Sequence, residues 1–147
     1  MARTKWVAVI SAVSSGTALL SMPAWPQDAA GICPALTHIV DASGNRARFA
    51  SLHDDPAARP PRVKDAADCR SAANAYDCHW QVQANDEGGA SAALQTLGAD
   101  IAACLPDAVH DVNSPGRQHF YIKRDAGQVN ITAATQGASV LRLVVTR

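Results

Sequence analysis

Residues 76–83 read YDCHWQVQ, and this stretch decides the fold class. Apolar side chains alternate with polar ones from Tyr76 onward, which is the two-residue period of a β-strand with one buried and one wet face. Asp77 and His79 fall on the wet face, so their side chains point the same way. Because patterns with a helical period lie on both sides of this strand, the chain is predicted to combine helices and strands.

Two helices are predicted, one before the strand and one after it. The first begins near Cys33, with Pro34 in its first turn, where the missing N–H costs nothing. The second has Ser91 as its N-cap, is weakened by Gly98 and ends before Pro106. Their apolar stripes consist of Ile32, Leu36, Ile39 and Val40 in the first helix and of Leu94, Leu97, Ile101 and Leu105 in the second.

The carboxyl-terminal part is predicted to form three strands, at residues 119–124, 128–134 and 139–147. Short links that contain Gly127 and Gly137 suit hairpins. The last strand is apolar on both faces and is therefore expected inside the sheet. The prediction is an α+β fold with two helices packed on one face of a small antiparallel sheet, in the order α-β-α-β-β-β.

The amino-terminal segment has the pattern of a secretory signal peptide. Arg3 and Lys5 precede an uncharged run over residues 6–20, and prolines and small residues follow. The run is short and diluted by polar residues, which disfavours a membrane anchor. We expect cleavage after Ala24, so that residues 1–24 are the signal peptide.

The remaining residues are predicted to form one domain. Residues 25–30 are a flexible lead-in, and residues 31–147 are a single disulfide-stapled domain. The polar residues 53–68 contain three prolines and are predicted as a surface loop. A further short strand is allowed near Cys69.

The four cysteines are predicted to form two disulfides, because an even number in a short exported chain is typical of a disulfide framework. Cys69 and Cys78 flank a polar, turn-rich stretch and can face each other across two strands. Cys33 and Cys104 can join two helix ends. We favour Cys69–Cys78 with Cys33–Cys104, and the rival pairing of Cys33–Cys69 with Cys78–Cys104 stays open. The close pairs typical of zinc or redox sites are absent from the sequence.

Three short segments carry a resemblance to a known type of protein. They are ICPAL at residues 32–36, DCHW at residues 77–80 after an upstream cysteine, and AACLPDA at residues 102–108. With three β segments after them, the chain resembles small exported two-disulfide α+β proteins of high-GC Gram-negative bacteria. The resemblance implies an architecture and no activity. The chain departs from the pattern before Cys69, where the segment is unusually polar.

Two groups of polar residues could carry chemistry. His53, Asp54 and Asp55 are potential metal ligands, but three adjacent loop residues cannot all reach one ion, so a solvated turn is preferred. Asp77 and His79 could form an acid–base pair or a ligand pair, although no nucleophile is placed beside them. The sequence therefore predicts no catalytic residue, no cofactor and no metal.

The composition excludes several classes of function. The chain has 13 basic and 13 acidic residues, and loss of the signal peptide leaves a small acidic excess. Such a surface offers no electrostatic footprint for nucleic acid or for anionic membranes. By elimination, we expect a periplasmic or secreted non-enzymatic binding module, such as an inhibitor or immunity-type protein. It would present its sheet face or residues 53–68 to an unknown protein partner in the cell envelope.

Two alternatives belong to other classes of function. One is a small periplasmic hydrolase or metal-handling protein that uses Asp77 and His79. The other is a structural factor of the envelope without a discrete site.

Overall fold

Two helices and a six-stranded sheet form the described part of the computed structural model, which comprises residues 27–60, 68–82 and 89–147. The predicted signal peptide, residues 1–24, lies outside the described residues. Two short 3-10 turns lie between the first helix and the first strand. The helices and strands are α1 Gln27–Ala42, β1 Asp68–Ser71, β2 Ala75–Gln81, α2 Gly89–Cys104, β3 Val109–Ser114, β4 Arg117–Arg124, β5 Gly127–Gln136 and β6 Val140–Thr146.

The sheet has the strand order β1-β2-β6-β5-β4-β3, and all neighbouring strands are antiparallel. Helix α2 packs on β4, β5 and β6, and α1 packs beside α2. The predicted α+β fold, with two helices on an antiparallel sheet, is confirmed. Strand β6 lies inside the sheet, as its two apolar faces predicted, and β1 and β3 are the edge strands.

The core lies between the helices and one face of the sheet. Both predicted helical stripes are buried there, together with alternate side chains of the strands such as Phe120, Ile131 and Leu143. The strand side chains between these buried residues point away from the helices, because successive side chains of a strand alternate between faces. We call the side of the sheet on which neither described helix packs the open face.

Helix α1 begins earlier than predicted. It begins at Gln27 and contains Pro34, so the predicted start near Cys33 is wrong and residues 27–30 of the predicted lead-in are helical. A proline inside a helix removes one backbone hydrogen bond. Burial of Ile32 and Leu36 on both sides of Pro34 offsets that cost.

The predicted N-cap of α2 at Ser91 is wrong as well. The helix begins at Gly89, and the Ser91 hydroxyl donates to the carbonyl of Pro115 at 3.1 Å. Ser91 therefore ties the first turn of α2 to the turn between β3 and β4.

The predicted set of three carboxyl-terminal strands is incomplete. Strand β3 precedes them, and β4 begins at Arg117 rather than at residue 119. The register of β3 shifts between His110 and Val112, where a bulge interrupts the alternation of faces. At the opposite edge, β1 is the short strand that was allowed near Cys69.

Two disulfides tie the described elements together. Cys33 of α1 is joined to Cys104 of α2, and Cys69 of β1 is joined to Cys78, its direct neighbour on β2. This is the pairing that the spacing favoured. Two disulfides in a small domain are typical of a protein that folds in an oxidising compartment outside the cytoplasm.

Candidate functional site

Asp77 and His79 lie on the open face of β2, and each has a charged neighbour. Arg142 Nε donates to Asp77 Oδ1 at 2.9 Å, and Arg142 Nη2 donates to Asp77 Oδ2. This hydrogen bonding lowers the pKa of Asp77. His79 Nε2 lies 3.6 Å from Asp68 Oδ2. Asp77 is therefore an ionised partner of Arg142 at neutral pH and has no proton to donate there.

The residues of the 53–55 loop are held by different partners. His53 Nδ1 lies 2.8 Å from Asp54 Oδ2. Asp55 accepts hydrogen bonds from His38 Nε2 at 2.8 Å and from the Ala57 N–H at 2.9 Å, and the bond with His38 is the main cause of its lowered pKa. Across residues 27–60, 68–82 and 89–147, no group of three or more His, Cys, Asp or Glu side chains could hold a metal ion.

A small cavity of about 140 Å³ lies between this loop and strand β1. Its lining includes the acidic side chains of Asp54 and Asp55 and the basic side chains of Arg59 and Arg70. Arg70 is paired with Asp68 at 2.8 Å. The mixed lining favours neither an anionic nor a cationic ligand.

The open face has a second pair of titratable groups that sequence reasoning missed. His119 Nδ1 lies 2.5 Å from Asp111 Oδ1, and this hydrogen bond lowers the pKa of Asp111. The bulge in β3 places Asp111 within reach of β4. The sequence alone does not reveal this pair, because it predicts neither β3 nor the hairpin of β3 with β4.

The edge of the open face at β3 carries exposed apolar side chains. Val109 is 47% exposed and Val112 is 38% exposed, and every residue of β3 before Ser114 is exposed. On neighbouring β4, Tyr121 is half-buried, while Arg117 and Lys123 are exposed. No ion pair joins either cation to another described residue. We call these five residues, Val109, Val112, Arg117, Tyr121 and Lys123, the β3 patch.

Comparisons with protein-family models, with curated proteins and with solved structures found no match to this chain. Among the described residues, no helix is long and apolar enough to span a membrane.

Proposed function

We propose that this protein is a periplasmic, non-enzymatic binding module that presents the open face of its sheet, through the β3 patch, to a protein partner. An inhibitor or immunity-type protein of the cell envelope is one concrete form of this function. The observation that supports it is a sheet face that no described helix covers and whose edge strand exposes Val109 and Val112. Neighbouring exposed apolar side chains at a sheet edge are typical of interaction surfaces.

The two halves of the open face differ in their ion pairs. On β1, β2 and β6, Asp68 pairs with Arg70 and Asp77 pairs with Arg142. A partner that covered this half would have to remove these internal pairs from water, which is costly. The β3 half offers the apolar side chains of Val109 and Val112, and a partner that contacted them would leave the Asp68–Arg70 and Asp77–Arg142 pairs in water.

The bulge in β3 also bears on how a partner would bind. Bulges interrupt the ladder of backbone groups and protect edge strands against unspecific pairing. A partner that simply extended the sheet along β3 would meet this interruption between His110 and Val112. We therefore expect the partner to contact the side chains of the patch more than the free backbone of the edge.

Site-specific crosslinking tests the location of the interface. A photoreactive amino acid replaces Val112 in one variant and Ala102, which is exposed on α2, in the control variant. After irradiation in envelope extracts of the producing cells, we expect a specific partner to be crosslinked at residue 112 and not at residue 102. Equal labelling at both positions, or labelling at 102 alone, would overturn the assignment. Crosslinking to a second copy of this chain would show that the patch mediates self-association, and would overturn the proposal of a different protein as partner.

Binding measurements on the purified partner then test the energetics. The double variant Val109→Lys with Val112→Lys should bind more weakly. Its dissociation constant should rise by at least about tenfold, which corresponds to about 1.4 kcal/mol. Lysine is a residue that natural edge strands accept, so these variants should fold. Ala102→Lys places a lysine on the helical layer instead and should leave the affinity unchanged. Unchanged affinity in the double valine variant, with native circular dichroism, would refute the proposal.

A further inference from the structure

We draw no further inference here: the strongest candidate, the β3 patch at the edge of the sheet, belongs to the surface already described under the proposed function, and nothing in the structure shows which partner chemistry covers it.

Discussion

Replacement of Gly98 by alanine tests how helix α2 fits onto the sheet. Gly98 is buried inside α2, where alanine is ordinarily more favourable than glycine by about 1 kcal/mol. A Cβ atom at this position would lie 3.2 Å from three side-chain atoms of Gln118. That separation is tighter than an ordinary contact, so either the Gln118 side chain or the helix must move.

Gln118 is poorly able to move. Its side chain is 1% exposed, and its Oε1 accepts a hydrogen bond from His110 Nε2 at 2.7 Å. Its Nε2 donates to Asn113 Oδ1 at 2.9 Å and to the Ser114 carbonyl at 3.1 Å. Loss of a hydrogen bond at a buried polar group costs about 1–3 kcal/mol. We therefore expect Gly98→Ala to lower the free energy of unfolding by about 1 kcal/mol after the gain in helix propensity is counted.

A double-mutant cycle isolates this contact. Gln118→Ala opens the space above Gly98, so in that background Gly98→Ala should raise the free energy of unfolding by about 1 kcal/mol. The coupling between the two positions should then be about 2 kcal/mol, measured by urea unfolding with circular dichroism. Ala102→Gly, at an exposed position of the same helix, serves as the control and should cost about 1 kcal/mol in both backgrounds. A coupling below about 0.5 kcal/mol would refute the reasoning, because independent sites add to within that amount.

Three further predictions concern the disulfide that joins the helices, a buried tyrosine and an ion pair. Alanine at both Cys33 and Cys104 should lower the free energy of unfolding by about 4 kcal/mol, because the bond spans a sequence separation of 71; a loss below about 1 kcal/mol in urea unfolding would contradict this account. Burial raises the pKa of Tyr76 to about 12 from 10.0, so the unfolded chain releases this proton first and stability should fall as the pH rises from 10.0 to about 12. Tyr76→Phe should remove this part of the pH dependence of the urea midpoint. If the dependence were unchanged in this variant, the loss of stability at high pH would not come from Tyr76. Asp77 has a pKa lowered below 3.8 by its bond with Arg142, so it stabilises the fold above that pH and loses this effect as the pH falls through its folded-state pKa. Asp77→Asn should therefore cost about 0.5–1 kcal/mol at neutral pH and progressively less in acid, and a cost that is independent of pH would exclude the ion pair as its source.

Local periodicity in the sequence is sufficient to predict most of the helices and interior strands. The helical stripes around Leu36 and Leu94 and the alternation around Cys78 are each contained in fewer than about 20 consecutive residues, and burial of one face is what creates such patterns. The structure buries those faces. The start of α1 was missed because Pro34 is a local signal for a helix start, whereas packing on both sides of it outweighs that signal.

Strand β3 was missed for a different reason. Its residues are nearly all exposed, and the bulge between His110 and Val112 breaks the alternation on which strand prediction depends. An edge strand of this kind is held by backbone hydrogen bonds to β4, which leave no hydropathy pattern. The exposed valines at the proposed interface were therefore not recognised as a surface.

The sequence by itself determined the α+β class, the buried stripes and the common face of Asp77 and His79, because each follows from the repeat of a single helix or strand. Only the tertiary structure decided that Asp77 meets Arg142, 65 residues away, and that Asp111 meets His119 across the β3–β4 hairpin. It also showed that Gly98, which weakens an isolated helix, makes room for Gln118. Such contacts depend on which strands become neighbours, and neighbours in the sheet are chosen by packing over the whole chain rather than by any local pattern.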